Sequence, residues 1–199
     1  MVTVAGAGAA LAGLFLTWLA LVAVGISPGN SNAARLLVGG PIHPLEGAVW
    51  FYFDTHWVLS RTGPGLSSVV VLAHPLEQAD PTLWPLHAIP GMAGVGGAAA
   101  VRYLGVTDGL DGSVVGASTA LGYLPTMSLL RSFARVPLTR HASNGRVPIF
   151  DADGVPVSHA EGVTAGPDLL SALLFVALVG VVIGGVGGAS AVVRSPGGR

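Results

Sequence analysis

Cysteine is absent, and so is lysine: all nine basic side chains are arginine. Without cysteine there can be no disulfide, no thiolate metal site and no cysteine nucleophile. Charge of either sign is scarce. Charged residues make up 10% of the chain, against about a quarter in an ordinary soluble domain. The formal net charge of −1 lacks the basic footprint of a nucleic-acid binder, so no nucleic-acid partner is expected. Arginine without lysine reads as the coding bias of a GC-rich genome rather than as a site.

What the chain does have is long runs free of charge. Residues 1–34, 81–101, 112–130 and 169–193 carry no Asp, Glu, Lys or Arg. The last run reads LLSALLFVALVGVVIGGVGGASAVV. At about 1.5 Å per residue it would make a helix roughly 37 Å long, enough to cross a hydrocarbon core about 30 Å thick. The first run lacks the basic start of a secretory signal and is longer than such a signal's apolar core, so it reads as a retained span. The sequence therefore predicts a single integral membrane domain, an all-α bundle of four transmembrane helices. The spans fall at about 2–26, 82–104, 112–131 and 168–193, with cap regions at 27–81 and 132–167.

Turn chemistry punctuates these runs. Ser27-Pro28-Gly29-Asn30 ends the first, and the short link around Asp108-Gly109 makes the second and third spans neighbours. Arg146-Val147-Pro148-Ile149-Phe150 and Val155-Pro156-Val157-Ser158 flank Asp151-Ala152-Asp153-Gly154 and read as a small β-hairpin. Asp168 stands where a helix cap is needed. Residues 49–59 are rich in aromatics but include Asp54 and His56, so they read as an interfacial or re-entrant helix. Trp50, Phe51, Tyr52 and Trp57 are its expected anchors at the headgroup level. A fifth span over residues 42–59 is the rival, and it would bury Glu46, Asp54 and His56. Residues 66–73 are a short apolar run, a strand or part of the same cap.

Lipid tails are as apolar as leucine, so membrane helices associate through close backbone approach, which small residues permit. Gly180, Gly184 and Gly188 recur at four-residue spacing in the last span, and Ala5, Ala9 and Gly13 line one stripe of the first. These are the expected packing faces. Pro85 and Pro90 in the second span and Pro125 in the third each remove a backbone hydrogen bond and favour a kink.

One tetrapeptide repeats: His43-Pro44-Leu45-Glu46 and His74-Pro75-Leu76-Glu77. Proline suits the first helical position and glutamate the third, so the motif reads as a helix start used twice. The alternative is a metal site built from His43, Glu46, His74 and Glu77. Asp54-Thr55-His56 suggests a carboxylate orienting an imidazole for proton transfer, or simply a polar face. Asp151-Ala152-Asp153-Gly154 lacks the later ligands of a calcium loop. Arg131, Arg135, Arg140 and Arg146 form a basic edge beside the third span. No catalytic residue and no cofactor is assigned.

The chain resembles a group of haloarchaeal multi-pass membrane proteins of unknown function. The likeness rests on Gly6-Ala7-Gly8-Ala9-Ala10, on the stretch from Gly47 through Trp50, Phe51, Tyr52 and His56 to Val58, on Gly122-Tyr123-Leu124-Pro125, and on Pro167-Asp168 before the glycine-rich last span. It implies an archaeal cell membrane and brings no activity with it. Four spans put both termini on one side; arginine count places the long loops in the cytoplasm, whereas arginine density and the acidic long loops place the termini there, and cytoplasmic termini are the expectation. The expected role is assembly with itself or a membrane partner, within the lipid bilayer. The alternative is a small transporter or channel subunit using the proline-kinked second and third spans.

Overall fold

The computed structural model describes residues 1–30, 41–58, 60–62, 70–72, 81–137 and 164–193. The expected hairpin at 146–158, Arg140, and the second His/Glu pair, His74 and Glu77, lie outside them.

Helices dominate. Helix α1 spans Val2–Ala23 and α2 spans Pro44–Thr55. A 3-10 helix, Pro81–Gly91, leads into α3, Met92–Leu104. Helices α4 (Gly109–Ser118) and α5 (Ala120–Phe133) are separated only by a turn at Thr119. The last helix begins as α6, Leu169–Leu178, passes through a π turn at Val179–Ile183 and ends as α7, Gly184–Val193. The described residues include four short strands: β1 Ser60–Thr62, β2 Val70–Leu72, β3 Val136–Pro137 and β4 Thr164–Pro167. They pair antiparallel in the order β2-β1-β4-β3.

Among the described residues three helices, not four, are long and apolar enough to cross a membrane: Val2–Ala23, Gly109–Phe133 and Leu169–Val192. The expected second span at 82–104 is the difference. Pro85 and Pro90 lie in its first half, where proline cannot donate to an α-helical ladder, and the chain takes the 3-10 form there. The α-helical remainder, α3, rises only about 20 Å. The other ends match the local chemistry. The Asp108 carboxylate accepts from the backbone N–H of Leu110 and Asp111 to start α4. Asp168 accepts from the N–H of Ser171 at 2.9 Å to start α6. Gly105, at φ 66°, ends α3 in the left-handed conformation.

Glycine brings the helices together. The Gly184 carbonyl oxygen lies so close to both Gly97 of α3 and Gly116 of α4 that a Cβ at either position would collide with it. Gly188 faces the Gly112 carbonyl in the same way, and Gly187 faces Gly94. A Cβ on Gly180 would stand 3.1 Å from that of Ala120. The four-residue series Gly180, Gly184 and Gly188 therefore lies against α4 and the start of α5 within this one chain. On α1, Ala5 and Ala9 lie against Gly96 of α3, while Gly13 faces Tyr52 of α2.

Candidate functional site

Helix α2 starts at the tetrapeptide His43-Pro44-Leu45-Glu46. The His43 Nδ1 accepts from the N–H of Leu45 at 3.3 Å, and Glu46 Oε2 accepts from the N–H of His43 at 3.0 Å. This reciprocal box satisfies backbone donors that the first turn leaves without helical partners. These two side chains are thus engaged in capping, and among the described residues no group of three or more His, Cys, Asp or Glu gathers around a possible metal position.

Every residue of α2 from Gly47 to Thr55 is buried, and so is His56 behind it. Trp50, Phe51 and Tyr52 were expected as headgroup anchors; they are instead interior side chains at 3% exposure or less. The reason is packing all round. Phe51 joins Leu21, Leu83 and Leu86 on one side, while Trp50, Tyr52 and Phe53 join Ala9, Ala10, Tyr123 and Met127 on the other. A helix apolar on every face belongs in an interior. The Trp50 indole N–H donates to the Ala134 carbonyl at 2.5 Å, a partner that water cannot supply there. Of the four anchors only Trp57 is exposed.

The helix ends in a left-handed residue, which is Trp57 at φ 60°. Its N–H donates to the Asp54 carbonyl, and the Val58 N–H reaches back to Phe53. That is the closing pattern usually given to glycine, and a side chain in this conformation costs about 1 kcal/mol or more. The Trp57 ring stacks on the His87 ring, with centroids 5.0 Å apart and planes 23° from parallel. His87 Nδ1 in turn lies 3.3 Å from the Thr55 carbonyl.

Inside the chain, α2 and α5 share a line of polar groups. The Tyr52 and Tyr123 hydroxyls are 3.2 Å apart, Tyr123 Oη is 2.6 Å from His56 Nε2, and His56 Nδ1 is 2.9 Å from the Tyr52 carbonyl. Thr55 Oγ1 donates to that same carbonyl at 2.6 Å and sits 3.1 Å from Nδ1. None of the four residues exceeds 1% exposure. A carbonyl only accepts, so Nδ1 carries the ring proton and donates it to Tyr52. Nε2 is then the acceptor, Tyr123 donates to it, and Tyr52 donates to Tyr123. One set of directions satisfies the whole line with a neutral imidazole.

The electrostatics agree. His56 lies outside the three long apolar helices. Burial lowers its pKa from the usual 6.5 to about 4; the hydrogen bond to Tyr52 opposes that shift and the nearby His87 adds to it. Burial, reinforced by Tyr123, holds the Tyr52 phenol well above its usual value. The geometry can pass or hold a proton.

Sequence reading pointed to His56 through Asp54-Thr55-His56, but it missed Tyr123. A phenol in an otherwise apolar span, between Gly122 and Leu124, is the signal that was available: once buried, its hydroxyl requires a partner. The basic edge divides. Arg131 Nε donates to the Pro167 carbonyl at 2.9 Å, and Arg135 reaches Thr164 Oγ1 at 2.8 Å, so both tie α5 and the chain beyond it to β4.

These features define a mostly helical protein with three helices fit to span a bilayer and a buried polar line between two of its helices. The chain belongs to a protein family of unknown function, DUF7978, which matches it over residues 1–195. No curated protein and no solved structure matches it.

Proposed function

We propose that this chain is a multi-pass integral membrane protein that acts by helix–helix assembly, with another copy or with a membrane protein partner. The observation that carries the reading is the apolar outer face of the long helices. Leu11, Phe15 and Trp18 of α1, Leu121 of α5, and Leu174 and Leu178 of α6 all stand exposed. Such a face suits lipid or another helix and does not suit water. The glycine faces hold this chain's own helices together, so the surface left for a partner is this outer one. It includes a groove of about 400 Å³ between α1 and α2, lined by Leu11, Leu14, Phe15, Trp18 and Leu45 among others.

An archaeal cell membrane is the location we infer, on the sequence resemblance alone. Both termini lie in the cytoplasm on this reading, with residues 81–104 crossing as a 3-10 helix followed by α3. At about 2.0 Å and 1.5 Å per residue the two pieces together rise roughly 40 Å, which is sufficient. A second reading, a small transporter or channel subunit, is favoured by the buried Tyr52–Tyr123–His56 line beside the proline-broken segment.

Because the chain has no cysteine, single cysteines report cleanly. Phe15→Cys and Leu121→Cys in native membranes should give crosslinked species larger than the monomer, and Val176→Cys, buried inside the chain, should not. Monomers alone at every outer position, together with solute or proton flux in proteoliposomes, would replace assembly with transport.

A further inference from the structure

We propose that the Tyr52–Tyr123–His56 line is a proton-operated switch: one proton taken up by His56 reverses the hydroxyl directions and loosens α2 from α5. This goes beyond the assembly reading and does not rest on it.

The neutral state is fully satisfied in one direction only. Nδ1–H of His56 donates to the Tyr52 carbonyl, the Tyr123 hydroxyl donates to Nε2, and the Tyr52 hydroxyl donates to Tyr123. An added proton binds at Nε2, the one ring nitrogen that carries no proton, and displaces the Tyr123 O–H from its lone pair. No bond other than that N–H is made and no group leaves. Nε2 is now a donor facing a donor across 2.6 Å. Tyr123 must turn its O–H to Tyr52, and Tyr52 must turn its own O–H away. On its far side stands Gly13 of α1, where a Cβ would come within 2.5 Å of Tyr52 Oη. Among the described residues Tyr123 is the hydrogen-bond partner of the Tyr52 hydroxyl, so the reversed line ends in a donor with no acceptor among them. A buried unsatisfied donor beside a buried cation is a strong bias towards opening.

The surroundings supply little compensation. Tyr52 and the buried Asp54 lie on α2 itself. From α5 come Tyr123 and Arg131, the latter held on the Pro167 carbonyl. The 3-10 helix contributes His87, half-buried and stacked under the exposed Trp57. Helix α1 carries no ionisable side chain along its length, nor do the turn Pro28–Asn30 and β4.

The test is hydrogen exchange of the α2 amides in the full-length protein in detergent, from pH 7.5 to pH 3.5, corrected for intrinsic rates. We expect protection of α2 to fall roughly tenfold or more across the His56 titration, as one pKa unit of coupling requires. In His56→Gln that step should vanish. Should this variant fail to fold, His87→Gln decides: removing the neighbouring imidazole should move the midpoint to higher pH. A wild-type profile without the step, an unchanged step in His56→Gln, or an unmoved midpoint in His87→Gln would each overturn the switch.

Discussion

The Tyr123 hydroxyl donates to Nε2 of His56 across 2.6 Å, with both side chains out of contact with solvent. The two residues are 67 positions apart, and the bond joins a helix long enough to span a membrane to the end of a helix too short to span one. It therefore fixes how α2 sits in the bundle, and the first two predictions concern it and the turn beside it.

Tyr123→Phe keeps the ring and deletes the hydroxyl. Two buried groups lose their partner at once, Nε2 of His56 and the Tyr52 hydroxyl. Each orphaned buried group costs about 1–3 kcal/mol. Thermal unfolding in detergent should show Tyr123→Phe markedly destabilised. Adding Tyr52→Phe should cost little more, because that hydroxyl has already lost its acceptor. Additive losses in the double variant would mean that the two phenols do not act as one line.

Trp57 can be dissected in the same way. Trp57→Ala and Trp57→Gly both remove the stack on His87, so their difference isolates the backbone. At φ 60° glycine is unstrained and alanine is not. Trp57→Gly should be more stable than Trp57→Ala by about 1 kcal/mol. Equal melting temperatures would place the residue outside the left-handed region.

Much of this was legible in the sequence, and the misses have physical causes. The helix starts at His43 and Asp168 could be read because capping is local: a side chain and a backbone N–H a few residues away decide it. The three long apolar helices were legible because length and lack of charge suffice. The broken form of the second apolar run was not legible, because hydropathy does not register that Pro85 and Pro90 divert the ladder into a 3-10 helix. The aromatic helix was placed at an interface because Asp54 and His56 made it look half wet. Its burial depends on partners up to 84 residues away, such as the Ala134 carbonyl that receives Trp50, and no local pattern encodes them.

The glycine contacts differ sharply from one position to the next, which makes alanine substitution a graded probe. Gly116→Ala would drive a methyl into the Gly184 carbonyl, and backbone on both sides cannot move aside cheaply. Its cost should be of the overpacking kind, about 1–3 kcal/mol or more. Gly185→Ala meets Ser113 at 3.3 Å and should cost little. Gly8→Ala has open space and should be neutral or gain up to about 1 kcal/mol from helix propensity. A flat response across the three would show that the helices do not meet at Gly116 and Gly184.

Sidedness follows from whether residues 81–104 cross. Three crossings put the termini on opposite sides of the membrane, and four put them on the same side. Our reading has both termini cytoplasmic, with the proline-broken segment completing the fourth passage. Single cysteines at Thr3 and Ser195 should then both resist an impermeant thiol reagent in intact cells and both react in inside-out vesicles. A cysteine at Trp57, which is exposed beyond the end of α2, should behave in the opposite way. Labelling of one terminus from each side would leave three crossings. The 3-10 helix and α3 would then fold back within the bundle, with α3 held there by the packing of Gly97 on Gly184 and of Gly96 on Ala9.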